Sequence, residues 1–177
     1  MMNLMNKNQN IQPLSSRIIR YILVENLIYW LTGSIVWIPW YFAEWAGIIA
    51  MITFVPFTII IAALYCLHKA PMDIWKREIW LIIATFVITC AIIDLFFWVL
   101  WRGHKILEWY LPITRVGIGN FIGYMEIIII ALITLMFALK ISRLQKDGIG
   151  AKLNEIHLFI LGVILFIINV YCAIIYW

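Results

Sequence analysis

The chain has 177 residues, of which 66% are hydrophobic and 12% are charged, and its mean hydropathy is +1.01. Soluble domains are about 45–50% apolar and about 25% charged, and a chain of this size cannot bury so much apolar surface in a core of its own. The composition therefore excludes a water-soluble globular domain and predicts one small integral-membrane domain. The net charge of +4 comes without a basic cluster interleaved with aromatic residues, which argues against a nucleic-acid-binding protein.

Five apolar segments follow a polar N-terminal tail of residues 1–16. Each is long enough to cross a bilayer as a helix, which takes about 20 apolar residues, and none shows the alternating polarity of a membrane-spanning strand. We therefore predict an all-α polytopic bundle that occupies residues 17–177. Its spans are expected at about 19–41, 46–67, 79–100, 117–140 and 156–177.

Three local features refine this prediction. The first span runs for about twenty residues and is longer than the roughly 7–15 apolar residues of a cleaved signal sequence, so we expect it to be retained. Pro56 lies near the middle of the second span, where the missing backbone donor should kink the helix. The stretch from Arg102 to Arg115 is amphipathic, which predicts a segment lying flat on the membrane surface.

The distribution of basic residues predicts an orientation. Of the thirteen Lys and Arg residues, ten fall in the tail, the second loop and the fourth loop, and three fall in the remaining loops. Because loops rich in Lys and Arg stay in the cytoplasm, we expect a multi-pass protein of the cell membrane with its N-terminus inside and its C-terminus outside.

Three carboxylic acids lie inside the predicted spans, namely Glu25, Asp94 and Glu126. We expect every Lys and Arg to lie in the tail, in a loop or at the extreme end of a span. An unpaired carboxylate in hydrocarbon is costly, so these acids need a partner, a bound cation or a proton. They are therefore the leading candidates for function.

Asp94 and Glu126 are predicted to share one site. Spans three and four should be antiparallel neighbours, and the two acids lie roughly 8 Å and roughly 7 Å from the centres of their spans toward the same face. Two carboxyl groups at one depth can share a proton, hold a cation or bind a polar solute, with Asn120 and Tyr124 orienting the ligand. The alternative is that each acid is protonated and hydrogen-bonded to a neighbouring polar side chain.

Two further features have structural interpretations. Glu25 lies near the inner end of span one, where Lys69, Lys76 or Arg77 can reach it, which favours a structural ion pair. Gly119 and Gly123 have the GxxxG spacing that lets helix backbones approach closely, either inside the bundle or across a homodimer face.

The sequence offers little for a metal, a cofactor or a known catalytic motif. The three cysteines are scattered, no CxxC, HExxH, GxSxG or phosphate-binding loop occurs, and His104 is predicted on the opposite side from His68 and His157. We therefore expect no metal and no cofactor, and the sequence does not favour an enzyme.

Three functions remain open. The first is a transport-related protein with a site for a proton, a cation or a polar solute at Asp94 and Glu126. The second is a non-catalytic membrane subunit or an assembly or immunity-type protein, with a homodimer or a partner subunit as its partner besides the lipid bilayer. The third is a membrane enzyme that uses the two acids on a lipid or isoprenoid, with the basic loop from Arg102 to Arg115 binding the headgroup phosphate.

Overall fold

The computed structural model describes residues 12–141, together with seven helical positions between residues 160 and 171. The predicted fifth span, at about 156–177, falls largely outside the described residues. The described chain is helical apart from short connections. Its five α-helices are α1 (Leu14–Phe42), α2 (Glu44–His68), α3 (Trp75–Asp94), α4 (Ile106–Tyr110) and α5 (Arg115–Ile141).

Four helical segments are long and apolar enough to cross a membrane, which confirms the prediction of an all-helical membrane protein. They are Leu14–Trp40, Trp45–His68, Met72–Trp101 and Arg115–Lys140. Only 28% to 39% of the most apolar stretch of each segment is buried inside the bundle, so most of the apolar surface faces outward. Such a surface is suited to lipid as the solvent. The direction of the chain across the membrane stays a prediction.

The first span begins earlier than predicted, and its first turns contain two basic residues. Helix α1 starts at Leu14 rather than near residue 19, so Arg17 and Arg20 lie in its first two turns. Both are buried, with 7% and 5% of their surface exposed. The two basic residues therefore lie at the extreme end of a span, as expected, and the structure adds that their long side chains reach polar partners between the helices.

The four long helices form a closed ring. Helix α1 packs against α2 and α3, and α5 packs against the same two helices, which confirms the predicted contact between the third and fourth spans. A single residue, Ala43, joins α1 to α2, so these two helices are antiparallel. We call the end of the ring where α1 begins the proximal end, and the end where α1 meets α2 the distal end. Helix α2 is continuous through Pro56.

The proximal half of the ring is tightly packed. Small residues on α2 and α5 bring the helices close together, and larger aliphatic and aromatic residues of α1 and α3 fill the space between them. The cluster comprises Tyr21, Val24, Ile59, Ala62, Ala63, Cys66, Leu67, Ile79, Ile82, Ile83, Phe86, Ile127, Ala131, Leu135 and Ala138. This core holds the four helices together in the proximal half, whereas the distal half contains a cavity.

A buried ion pair closes the proximal end. Arg17 Nη1 donates to Glu78 Oε2 at 2.6 Å, and the Tyr21 hydroxyl donates to Glu78 Oε1. Glu78 is 2% exposed and Tyr21 is fully buried. The network ties the first turns of α1 to the first turn of α3. Neither residue falls within a predicted span, since Arg17 precedes the first span and Glu78 precedes the third, so the pair was not predicted.

Replacing Glu78 by Gln should lower the free energy of unfolding by about 3–5 kcal/mol, because the buried Arg17 charge loses its partner. The matched control is Glu108→Gln, which breaks the exposed pair between Lys105 Nζ and Glu108 Oε1 at 2.9 Å. This control should change stability little, since solvent screens exposed pairs. Denaturation in detergent micelles measures both. Equal effects of the two substitutions would contradict the structural role of the Arg17 pair.

The junction between α4 and α5 depends on a glycine. Thr114 caps α5: its hydroxyl accepts a hydrogen bond from the Gly117 N–H at 3.0 Å and donates one to the Glu108 carbonyl at 2.8 Å. A Cβ atom on Gly117 would lie 1.9 Å from the Leu111 carbonyl oxygen. Only glycine at position 117 therefore lets the backbone of α4 pack on the first turn of α5.

Two alanine substitutions test this contact. Gly117→Ala should lower the melting temperature and detach α4, because the clash is with backbone that cannot turn aside. Gly119→Ala, two residues along the same helix, should be neutral or slightly stabilising, since a Cβ atom there meets no described atom within 4 Å. Thermal unfolding and limited proteolysis of the 102–114 segment measure the two effects. A tolerated Gly117→Ala substitution would show that α4 is not held in this way.

Candidate functional site

The distal half of the ring encloses a cavity of about 130 Å³. Its wall comes from α1, α2, α3 and the first three turns of α5, and its floor is formed by Ile59 and Ile127 of the proximal core. Most of the wall is apolar or aromatic. The polar and charged side chains on it are Glu25, Tyr29, Thr32, Asp94, Arg115, Asn120 and Tyr124.

Asp94 is the centre of a hydrogen-bond network across three helices. The Tyr29 hydroxyl donates to Asp94 Oδ1 at 2.5 Å, and the Tyr124 hydroxyl donates to Asp94 Oδ2. The Trp98 indole N–H donates to the Tyr29 oxygen at 2.8 Å. An indole N–H can only donate, so the Tyr29 hydroxyl has its proton free for Asp94. Both oxygens of Asp94, which is 5% exposed, therefore accept hydrogen bonds as those of a carboxylate do.

A change of helix type places Asp94 at this point. Asp94 is the last residue of α3, and residues Leu95–Trp101 continue it as a π-helical turn. The Arg102 N–H accordingly bonds to the Phe97 carbonyl, five residues earlier, at 3.2 Å. Such wide turns are rare and are frequent at functional sites. Here the wider turn points Phe97 and Trp98 inward, where they form a buried aromatic cluster with Trp30 and Trp109.

Helix α4 covers the site with Trp109, which is 1% exposed. The Trp109 ring stacks on Trp98 at 5.2 Å and on Trp37 at 6.3 Å between centroids. Its indole N–H lies close enough to Asp94 to interact with the carboxyl group but forms no hydrogen bond within residues 12–141. The Tyr110 hydroxyl donates to the Ala91 carbonyl at 2.6 Å. Trp109 and Tyr110 thus anchor the 102–115 segment to the bundle, and its position flat on the membrane surface stays a prediction.

Glu25 also lies on the cavity wall, one turn of α1 before Tyr29. It is 3% exposed, and its carboxyl group interacts electrostatically with that of Asp94. Among residues 12–141 it forms no ion pair with Lys69, Lys76 or Arg77, so the structure does not bring the predicted pair together. The cavity therefore contains two acids, as predicted, but the second acid is Glu25.

Glu126 lies off the cavity. It is absent from the wall, and its Oε2 atom is buried without a hydrogen-bond partner in the described part of the chain. Tyr124 and Glu126 are two residues apart, so their side chains project about 200° apart around the helix axis. Because Tyr124 points at Asp94, Glu126 points elsewhere. The structure thus brings Asp94, Tyr124 and Asn120 to one cavity and leaves Glu126 outside it.

The remaining predicted residues, Asn120, Gly119 and Gly123, shape the cavity in two different ways. Asn120 donates its amide N–H to the Trp109 carbonyl at 3.1 Å and so holds α4 over the cavity. Gly119 and Gly123 line the cavity, and a Cβ atom on either would meet no described atom within 4 Å. Within the described residues the predicted close packing of a helix against this glycine pair is not found, and their missing side chains leave space in the cavity.

Sequence reasoning missed Tyr29 and Trp109 as site residues, and it assigned Arg115 to a headgroup-binding loop rather than to this cavity. Tyr29 carries a usable signal, since a tyrosine hydroxyl inside a span needs a hydrogen-bond partner and Tyr29 follows Glu25 by one turn. Trp109 carries none, because a tryptophan beside a span is equally typical of the membrane interface. In residues 12–141 no group of three His, Cys, Asp or Glu side chains could hold a metal ion.

No protein-family model matches this sequence, and neither a curated protein nor a solved structure is significantly similar to it.

His104 provides a pH-dependent contact beside the site. Its ring lies 5.0 Å from Trp109 and 6.1 Å from Trp98 between centroids. Partial burial, and then the Arg102 charge, lower the pKa of His104 below its ordinary value of 6.5, against a smaller opposite effect of Glu108. The unfolded chain therefore binds this proton more readily than the folded chain does.

The lowered pKa predicts that His104 costs stability as the pH falls. Neutral His104 should make its full contribution to the free energy of unfolding above about pH 6.5. This contribution should be lost progressively as the pH falls through the folded-state pKa, because the unfolded state binds more protons in that range. His104→Gln should remove this component. The measurement is the melting temperature of both proteins at pH 7.5 and pH 5. An identical decrease in the two proteins would contradict the effect.

Proposed function

We propose that this protein is a transport-related membrane protein, in which Asp94 binds a proton or a small cation, or a polar solute that carries a positive group. The observation that carries the proposal is a buried carboxyl group that accepts hydrogen bonds from two neutral phenols in a cavity shared with a second acid.

The charge balance of the cavity supports a cationic ligand. Hydrogen bonds from Tyr29 and Tyr124 satisfy the oxygens of Asp94 but bring no positive charge. Among the described residues of the wall, two are acids and Arg115 is the basic one, so the wall has one negative charge in excess when all three are ionised. An uncompensated charge in a low-dielectric interior is costly, and a bound cation or proton removes that cost.

The aromatic wall also suits a cation. Tyr29, Trp37 and Trp40 line the cavity beside the two acids, and the rings of Trp37 and Trp40 lie 5.9 Å apart between centroids. Ring faces attract cations, more strongly where water is excluded. Such a wall holds a desolvated cation without the deep energy minimum of a permanent ion pair, which favours release as well as binding.

One observation favours this proposal over a lipid-headgroup enzyme. The enzyme hypothesis used Asp94 and Glu126 as an acid and base pair, and Glu126 does not line the cavity. The alternative is a non-catalytic membrane subunit, which an absence of flux in lipid vesicles would favour.

The test compares two acid-to-amide substitutions in the same helical bundle. Purified protein in lipid vesicles is assayed for flux of protons, Na⁺ and tetramethylammonium. Asp94→Asn should reduce the flux of the conducted cation at least about tenfold, since the ligand loses its charged partner, whose contribution is typically above about 1.4 kcal/mol. Glu126→Gln removes an equal charge outside the cavity and should leave the flux unchanged.

Thermal unfolding of both variants verifies that they fold. Wild-type flux in Asp94→Asn, or equal losses in the two variants, would overturn the assignment of Asp94. A protein that moves none of the three probes faster than empty vesicles would favour the subunit hypothesis.

A further inference from the structure

A second cavity, of about 390 Å³, opens at the proximal end of the ring, at the opposite end from Asp94. Its wall combines the start of α1 with the turn that joins α2 to α3. The polar residues on it are Gln12, Arg17, His68, Lys69 and Trp75. No Asp or Glu is among the described residues of this wall, whose basic side chains are Arg17, paired with Glu78, and Lys69.

Arg17 is the buried part of this wall. It is 7% exposed, and a guanidinium group has five N–H donors. Glu78 accepts one hydrogen bond, from Nη1, and Nε–H is buried without a partner in the described residues. Glu78 is already shared with the Tyr21 hydroxyl. Arg17 is nine-tenths buried, has one donor without a partner among the described residues and borders the cavity, so a further acceptor there would complete its hydrogen bonding.

The other side chains supply donors around the same space. The Gln12 side-chain oxygen accepts from Arg20 at 2.5 Å, which leaves its amide N–H groups as donors. Lys69 has its ammonium group 5.7 Å from the centre of the Tyr65 ring, a contact that limits where the charge can move. The Trp75 indole N–H donates to the Ala70 carbonyl at 2.9 Å and so fixes the turn that presents His68 and Lys69.

We propose that this cavity binds a phosphate group, and that the phosphate belongs to the headgroup of an anionic phospholipid. Guanidinium and ammonium groups with amide donors are the set that recognises phosphate oxygens. The cavity lies at the polar ends of two apolar helices, where headgroups of a surrounding bilayer lie, and basic pockets between membrane helices bind such headgroups. The site does not depend on the cation site proposed at Asp94.

The test measures how ligands bind to two lysine variants. Lys69→Gln removes a charge from the wall of the cavity, whereas Lys76→Gln removes an equal charge in the first turn of α3, off the wall. Both variants keep Arg17 and Glu78, so the ion pair that holds the proximal end is intact. Native mass spectrometry gives the dissociation constant of short-chain phosphatidylglycerol, with phosphatidylcholine as the zwitterionic reference. Inorganic phosphate, followed by its effect on the melting temperature, probes the free anion.

Phosphatidylglycerol should bind wild type in preference to phosphatidylcholine. Lys69→Gln should bind it about fivefold more weakly, the usual effect of one basic residue at a headgroup, and Lys76→Gln should match wild type. Stabilisation by phosphatidylglycerol but not by phosphate identifies a lipid headgroup as the ligand, and equal stabilisation identifies a free phosphate in the same site. Equal binding by wild type and Lys69→Gln, or no preference over phosphatidylcholine, would overturn the proposal.

Discussion

A carboxyl group that is removed from water between apolar helices has to be matched by positive charge or by hydrogen-bond donors, and this bundle contains both solutions. Glu78 is matched by Arg17, and the pair ties α1 to α3. Asp94 is matched by two phenols, which satisfy its oxygens without neutralising a charge. In the first arrangement the two charges balance, and the role of the pair is structural. The second is incomplete electrostatically, and the function we propose follows from that difference.

The two halves of the ring provide the settings for these two arrangements. In the proximal half, small residues such as Ala62, Ala63 and Ala131 let the helices close on one another around a continuous core. In the distal half, glycines on α5 leave space, and aromatic rings stand around that space rather than filling it. Trp109 then covers it from α4, which Gly117 and Thr114 hold against α5. The packed proximal half thus holds in place the helices that surround the distal cavity.

The sequence predicted what depends on composition and length. The first four apolar spans, the helical class and the contact between the third and fourth spans all follow from hydropathy and connection length, and the described residues confirm them. The depth of Asp94 was also a useful guide, because Tyr124, two residues from the predicted partner Glu126, does reach it. Depth along a helix follows from counting residues.

Rotation about the helix axis does not follow from counting, and this is where the prediction of the site failed. A shift of two residues turns a side chain through about 200° around the helix axis. The hydropathy of span four is therefore the same whether Glu126 or Tyr124 faces Asp94, and in the structure it is Tyr124 that does. The contact between α4 and the first turn of α5 depends on a close backbone approach at Gly117, which composition does not reveal. Arg17 was likewise assigned to the margin of the membrane, since its burial depends on a partner sixty-one residues away.

The native cysteines give the most direct test of the claim that Asp94 faces an open, anionic cavity. Cys90 lies on the cavity wall beside Asp94, whereas Cys66 is fully buried in the proximal core. Two single-cysteine variants are made, one that keeps only Cys90 and one that keeps only Cys66. In each, the rate of modification by a small cationic thiol reagent is compared with the rate for a neutral reagent of equal size. The account predicts that Cys90 reacts, that it prefers the cationic reagent, and that Asp94→Asn removes the preference. A Cys90 as unreactive as Cys66, or one indifferent to reagent charge, would contradict it.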